Sequence, residues 1–277
     1  MDILERMKKE MIRRRLSHRT ITTYLFYVRK FMLFCNKEPR YFSKKDCRVF
    51  LEKFMDRELN WTRKAKGGEE IAGSTLNVAL NSLRFMMEEV LRKSMRLNMR
   101  YSKLPKKLPV CLTKEEVMKL LDAIDNPRHK LLVSVMYGAG LRVSEVVKLR
   151  AENLELETKV GWVRKGKGNK DRPFIIPKCM IAKLKNLQGY IFPGRTYGHL
   201  STRTVQVIVQ EAAAKAKLVK KVHPHTLRHS FATHVLENGV DVSTVQSLLG
   251  HNEARTTMEY LHCIRPKLIS VRSPLDE

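Results

Sequence analysis

The stretch that decides the fold is Pro224-His225-Thr-Leu-Arg228, followed by Leu249-Gly-His251 and, nine residues later, by Tyr260. Proline suits the first turn of a helix, so His225 and Arg228 are predicted to share one face near the positive end of that helix. A tyrosine hydroxyl can attack phosphorus when cations hold the phosphate and neighbouring groups carry the protons. The stretch therefore points to phosphodiester chemistry that needs no metal ion.

Each of these residues also has a purely structural interpretation. His225 could cap its helix while Arg228 pairs with an acid, and a lone tyrosine such as Tyr260 is more often half-buried packing than a nucleophile. The nearby His229 and His234 are expected to be packing or surface residues, because their neighbours already fill the roles that the chemistry needs.

Two further cations precede this stretch. Arg142 follows the bend Gly138-Ala-Gly140 at a predicted helix start, where its guanidinium and backbone N–H groups can address one phosphate. Pairing with Glu145 is the alternative. Lys167 lies between two glycines at the tip of a predicted hairpin, where the backbone can approach a phosphate closely and the ammonium group can reach it. Two more lysines lie in the same loop, and charge alone does not choose among the three.

The chain carries a large excess of positive charge. Its 277 residues include 54 lysines and arginines against 28 acidic residues, a net charge of +26. Residues 1–104 alone hold 25 basic and 12 acidic side chains, a net charge of +13. Such a surface attracts polyanions such as nucleic acids. A generally basic chain without a binding site is the alternative, because composition alone reports no site.

Several other classes fit the sequence poorly. No apolar run approaches the roughly 20 residues of a membrane-spanning helix, and the first residues lack the pattern of a signal peptide, so we expect a soluble, cytoplasmic protein. The five cysteines form no C-x-x-C pair that would suggest a zinc or redox site. Without a P-loop or a carboxylate cluster, neither a cofactor nor a metal ion is expected.

The spacing of apolar residues predicts a mainly α fold with a small β-hairpin or sheet. In the first hundred residues, helical spacing recurs over 20–35 and 74–92, and Ser43-Lys-Lys-Asp46 has the pattern of a capping box. Met86 and Met87 are expected to fill the core of this small bundle.

Prolines and lysines between residues 103 and 112 break the helical pattern and resist burial, so the linker between two domains is placed there. Residues 1–102 and 113–277 are then the two domains. A capping box at Thr113-Lys-Glu-Glu116 begins the second one, in which β-prone runs at 160–164 and 172–176 flank a glycine-rich tip and helices follow.

Four stretches of this chain resemble the tyrosine recombinase (integrase) family, and within it the compact Xer site-specific recombinases. They are Gly138–Glu145, Gly166–Lys170, Pro224–His234 and Leu248–His251 with Tyr260 after it, in the order and spacing of the family. The resemblance is firm over 113–262 and looser over the first hundred residues. It implies an N-terminal helical core-binding domain followed by a mixed, mostly α catalytic domain of tyrosine recombinase type.

The resemblance also implies a catalytic set, which falls on Arg142, Lys167, His225, Arg228, His251 and Tyr260, with Glu145 as support for Arg142. In that set, Tyr260 is the nucleophile that forms a 3′-phosphotyrosine bond, and the arginines stabilise charge on the phosphate. Lys167 would protonate the leaving 5′-oxygen, His225 would help to accept the tyrosine proton, and His251 would hydrogen-bond the phosphate.

The implied partner is double-stranded DNA with a specific recombination site, bound by four copies of the chain; a second recombinase or regulator stays open. The implied role is Xer-like resolution of chromosome or plasmid dimers, which would serve chromosome partition and cell division. A mobile-element integrase, a type IB topoisomerase and a non-catalytic DNA-bridging protein are the alternatives. Topoisomerases of that type usually carry lysine at the position of His225, so the histidine favours a recombinase.

Overall fold

Helices dominate the computed structural model, which describes residues 2–59, 61, 71–94, 109–164, 171–194 and 198–250. The chain divides into two compact units, residues 1–106 and 107–277. Within the described part, the first unit contains α1 (Ile3–Arg13), α2 (His18–Cys35), a 3-10 turn (Pro39–Tyr41), α3 (Lys44–Met55), α4 (Gly73–Arg84) and a π-helical segment (Phe85–Val90).

The second unit combines seven described helices with a small sheet. The helices are α5 (Lys114–Asp122), α6 (Pro127–Gly138), α7 (Val143–Val146), α8 (Ile181–Leu184), α9 (Thr202–Lys215), α10 (Pro224–Glu237) and α11 (Val242–Leu249). The strands are β1 (Leu154–Glu155), β2 (Val160–Val163) and β3 (Arg172–Ile175), with 3-10 turns at Ala151–Asn153 and Lys178–Met180. The prediction of a mainly α fold with a small sheet is confirmed.

Both predicted capping boxes form. In α3 the Ser43 hydroxyl accepts a hydrogen bond from the backbone N–H of Asp46, and the Asp46 carboxylate accepts one from the backbone N–H of Ser43. Thr113 and Glu116 make the same reciprocal pair at the start of α5. Each box satisfies backbone donors that the first turn of a helix leaves without partners, so these two helix starts are fixed locally.

The helix predicted over 74–92 is α-helical only as far as Arg84 and continues as a π-helical segment over Phe85–Val90. Apolar spacing does not separate the two, because both keep the same apolar residues on the side that faces the core. Met86 and Met87 are buried, as predicted. They pack in the core of the first unit with the aromatic rings of Phe31 and Phe50, whose centroids lie 5.5 Å apart.

The core of the second unit forms around α6. Leu132, Val133 and Met136 of this helix are fully buried, in agreement with its apolar sequence. Leu112, which falls at the end of the predicted linker, is also buried there, and its backbone N–H donates to the Ser230 hydroxyl at 2.8 Å. The packed core of this unit thus includes a residue that precedes α5.

The sheet is antiparallel, in the order β1, β2, β3. Strands β2 and β3 are the predicted hairpin, with Val160 opposite Ile175 and Val163 opposite Arg172, while the short β1 was not predicted. Burial alternates along β3, so that Arg172 and Phe174 face inward. In the part of the chain that the structure describes, no helix has the length and apolar character that crossing a membrane requires.

Candidate active site

Arg142 is held at the start of α7 by its own turn. Its backbone N–H donates to Oε2 of Glu145 and its Nη1 donates to Oε1 of the same carboxylate, both at 2.8 Å. The preceding Gly140 has a φ of +60°, and a Cβ there would lie 2.4 Å from the ring of Phe231. Glycine is needed because the turn requires a left-handed backbone and leaves no room for a side chain. The predicted pair of Arg142 and Glu145 therefore exists, and it orients the guanidinium.

Arg228 approaches the same carboxylate from α10. Its side chain is only 3% exposed, and its Nη1 lies 3.8 Å from Oε2 of Glu145. The guanidinium donates to the backbone carbonyl of Gly140 at 2.7 Å and to that of Leu249 at 2.5 Å. The fold thus brings the two predicted phosphate-binding arginines to one buried acid, although 86 residues separate them in the sequence.

A third arginine completes the cluster, and the sequence interpretation missed it. Arg172 is 8% exposed and donates from Nη2 to Oε2 of Glu145 at 2.6 Å. It also donates from Nη1 to the carbonyl of Leu248. Its inward position in β3, next to Phe174 in the alternating pattern, is the signal that could have found it, because a charged side chain at an inward strand position requires a buried partner.

Three successive backbone carbonyls at the end of α11 accept hydrogen bonds from these three arginines. Leu248 accepts from Arg172, Leu249 from Arg228, and Gly250 from Nη2 of Arg142 at 3.3 Å. These carbonyls carry the negative end of the helix dipole and lack partners within the helix, so cations stabilise them. Gly250 ends the helix in a left-handed conformation with a φ of +61°. The next residue in the chain is the predicted His251.

Glu145 stays charged despite its burial because of its partners. Desolvation alone would raise the pKa of this carboxyl, but Arg172 and Arg142 more than offset that effect, and the pKa lies below its ordinary value. The side chain is 6% exposed. One buried carboxylate therefore holds its negative charge at the centre of three guanidinium groups, and the cluster keeps a net positive charge for a phosphate.

His225 lies in the first turn of α10, near Arg228. Partial desolvation lowers the pKa of its imidazole, although the residue keeps an exposed face, and the charges of Arg228 and Arg142 lower the pKa further. Its ring is therefore neutral at neutral pH and able to accept a proton. The alternative that His225 caps the helix is wrong, since the N-cap is His223, whose backbone N–H donates to the Thr226 hydroxyl at 3.1 Å.

The other two histidines of α10 are packing residues, as predicted. His234 is buried, and its Nδ1 lies 2.8 Å from the hydroxyl of Tyr137. His229 has its ring centroid 6.3 Å from that of His225, and burial lowers its pKa to about 4. The pKa of each imidazole lies below its ordinary value, so both are uncharged at neutral pH.

Lys167, His251 and Tyr260 lie outside the described residues. The structure thus brings together Arg142, Glu145, His225 and Arg228 of the predicted set, and adds Arg172 to them. Among the residues that it describes, no group of three or more histidine, cysteine or acidic side chains could hold a metal ion.

Comparison with known proteins places this chain in a family. The sequence profile of the "Phage integrase family" matches residues 111–265, and that of the "Phage integrase, N-terminal SAM-like domain" matches residues 3–97. The chain is 37% identical to tyrosine recombinase XerA of Pyrococcus furiosus over 258 residues, which cover 88% of this chain and 83% of that protein. It is 35% identical to tyrosine recombinase XerA of Pyrococcus horikoshii over 269 residues, covering 94% and 88%.

A solved structure agrees in fold. The XerH site-specific recombinase, crystallised with a palindromic difH substrate after cleavage, matches with a TM-score of 0.68 and 22% identity, covering 93% of this chain and 80% of that one. The chain belongs to the phage integrase family, the tyrosine recombinases. Members of this family are enzymes that cleave and rejoin DNA. Within the family, the identity to the two XerA proteins shows that this chain resembles the Xer type.

Proposed function

We propose that Tyr260 cleaves one DNA strand at a time by attacking the scissile phosphorus. The phenolic oxygen forms a bond to phosphorus, the bond to the 5′-oxygen breaks, and the product is a 3′-phosphotyrosine with a free 5′-hydroxyl. Attack by a 5′-hydroxyl from another strand reverses these steps and joins the new pair. The phosphotyrosine keeps the energy of the backbone bond, so this reaction consumes no ATP.

The observation that carries this proposal is the buried arginine cluster at the end of α11. Arg142 and Arg228 are held by Glu145 and by backbone carbonyls of the protein itself. Donors that need no rearrangement stabilise the charge that develops on the non-bridging oxygens most effectively. In this proposal the neutral His225 accepts the tyrosine proton, Lys167 protonates the leaving oxygen and His251 donates a hydrogen bond to the phosphate; the lowered pKa of His225 supports its role.

We assign the residues 1–102 to core binding and the residues 113–277 to catalysis. The net charge of +26 supports affinity for double-stranded DNA that rests mainly on phosphate contacts. Each copy of the chain supplies one Tyr260, so exchanging both strands of two duplexes requires four copies on two sites. The proposed role is resolution of chromosome or plasmid dimers at a specific site, in the cytoplasm.

A suicide substrate tests the chemistry. A recombination site with a nick next to the scissile phosphate loses a short 5′-hydroxyl fragment after cleavage, so the covalent adduct accumulates and is counted on a denaturing gel. Wild-type protein is expected to form the adduct and Tyr260→Phe is expected to form none. Tyr190→Phe is the matched control, because Tyr190 lies in the same unit, packs against Arg150 and His199, and has no role in the proposed reaction. Equal failure of wild-type protein and Tyr260→Phe would support a non-catalytic DNA-bridging protein instead.

Products of a two-site plasmid separate the remaining roles. Separate circles from directly repeated sites support dimer resolution, whereas joining of a free circle to a target site supports the integrase role that the family name suggests. Relaxation of supercoils without recombinant product would support a type IB topoisomerase. Mapping covalent protein–DNA junctions across the genome then identifies the site sequence.

A further inference from the structure

Arg172 was not part of the predicted catalytic set, yet it belongs to the charge cluster around Glu145. One side of its guanidinium donates to Oε2 of Glu145 and the other donates to the carbonyl of Leu248. We infer that Arg172 is a positioning residue, which fixes the carboxylate that orients Arg142 against the end of the helix that leads to His251. This inference rests on the proposed cleavage function, because its effect is measured as DNA cleavage.

The planar guanidinium makes this connection rigid. Nη1 and Nη2 are held in one plane, so a shift of Leu248 relative to Glu145 breaks one of the two hydrogen bonds. The Arg142 guanidinium depends on the same carboxylate for its orientation. Arg172 thus couples the position of the α11 end to the position of a phosphate-binding side chain, and reactions of this type lose about 100-fold in rate when a reacting group is misplaced by about 1 Å.

The backbone around Arg172 is fitted to its side chain. A Cβ at Gly250 would lie 2.5 Å from Cδ and 3.1 Å from Nε of Arg172. The glycine that ends α11 therefore does two things: it adopts the left-handed conformation of the cap, and it leaves the space that the arginine stem occupies. Both features fix the backbone at Gly250, the residue that precedes His251 in the sequence.

Stability alone does not account for an arginine at this position. In the described part of the chain, its Nε is buried and has no hydrogen-bond acceptor. A buried N–H without a partner is destabilising, and an apolar side chain at this inward position of β3 would avoid that cost. Apolar replacements of buried ion pairs are often neutral or stabilising. What distinguishes the arginine is the pair of groups that it connects.

Three variants of the full-length chain test the inference on the nicked suicide DNA. Arg172→Met removes both hydrogen bonds, Arg172→Lys keeps the charge but cannot bridge both partners, and Arg164→Met is the matched control. Arg164 lies in the same hairpin and pairs with Asp171, but its side chain is 54% exposed. For each variant we measure the Kd for DNA, the single-turnover rate of adduct formation at saturating protein, and the thermal midpoint, and we compare rates only where every variant is folded.

Both Arg172 variants are expected to form adduct about 100-fold more slowly than wild-type protein. Their Kd for DNA is expected to change by less than about threefold, because Arg172 acts in this inference through Glu145 and Leu248 and not through a contact with DNA, while affinity rests on many phosphate contacts elsewhere. The control is expected to keep the wild-type rate. A purely structural role would not divide the effect in this way, since it would weaken binding and cleavage together.

A double-mutant cycle with Glu145→Gln checks the route of the effect. If Arg172 acts through Glu145, the double variant cleaves no more slowly than the slower single variant. Independent effects that multiply would overturn the inference, and so would full recovery of the rate in Arg172→Lys or an unchanged rate in Arg172→Met. If the wild-type protein itself forms no adduct, the proposed function fails and this inference fails with it. If the wild-type protein forms adduct but the Arg172 variants are as fast, only this inference fails.

Discussion

The two units of this molecule differ in where their ion pairs lie. In the first unit, ion pairs lie on the surface: the side chain of Arg13 in its pair with Glu10 is 70% exposed, and that of Arg48 in its pair with Glu52 is 64% exposed. The second unit has exposed ion pairs as well, but it also holds the cluster around Glu145, in which the side chain of Arg228 is 3% exposed and that of Arg142 is 20% exposed.

The difference separates affinity from chemistry. Exposed cations attract DNA collectively and are screened by salt, so the loss of one changes little. Buried cations with fixed partners hold their geometry and can stabilise one developing charge. Loss of a buried arginine should therefore reduce the rate of cleavage steeply, while loss of an exposed arginine should barely be measurable. Four predictions follow this order.

The largest effect is expected for Arg228→Lys. Lysine keeps the charge but not the two parallel donors that bind the carbonyls of Gly140 and Leu249, so a preorganised donor for the phosphate is lost. Removal of such a donor lowers cleavage by about 100-fold to 1,000-fold. The rate of adduct formation in a single turnover at saturating protein measures this loss, and Arg48→Lys in the first unit is the control. A loss below tenfold would contradict the proposed role of the buried cluster.

The sequence predicted some parts of this site well because they are local. Glycines and capping residues fix the turn before Arg142 within a few positions, and the helix that carries His225 and Arg228 begins at a proline. The hairpin was found from its β-prone strands. In each case the physical cause lies in neighbouring residues of the chain, so the pattern is visible without the fold.

Other parts could not be predicted, because they depend on contacts between distant residues. The three arginines that bind the end of α11 come from the start of α7, from β3 and from α10. The sequence showed Arg172 only as the first residue of a strand, and nothing local indicated that Glu145 would be its partner. The π-helical segment after Arg84 is a similar case, since apolar spacing does not distinguish it from an α-helix.

The next largest effect is expected on stability, for Gly140→Ala. The φ of +60° strains any L side chain, and the new Cβ would lie 2.4 Å from the ring of Phe231. Together, backbone strain and overpacking reduce the free energy of unfolding of the second unit by about 2–4 kcal/mol. Urea unfolding measures it. Gly189→Ala is the matched control, because Gly189 has a φ of +62° with nothing within 4 Å, so it reports the backbone strain alone. If both variants lost the same free energy of unfolding, the ring of Phe231 would have moved aside without an energetic penalty.

A pH profile tests the neutral state of His225. Only the neutral imidazole accepts a proton, and partial desolvation with two neighbouring arginines lowers its pKa, so cleavage should persist at pH 6.5 and fall only as the pH drops further. His225→Gln is expected to lower the rate by about 100-fold and to remove that decline. His18→Gln, an exposed histidine of the first unit, should keep the wild-type profile. A wild-type decline that is centred above pH 6.5 would contradict the lowered pKa.

The smallest effect is expected for the pair of Arg48 and Glu52 on α3. The two side chains are 64% and 46% exposed and lie one helical turn apart, so water and salt screen their attraction. A double-mutant cycle with alanine at both positions should give a coupling free energy of about 0.5 kcal/mol or less, which disappears in 1 M salt. Urea unfolding of the full chain measures it. A coupling free energy above about 1 kcal/mol that survives high salt would show that this surface pair is held in a fixed geometry. The contrast between screened surface charges and fixed buried ones would then no longer hold.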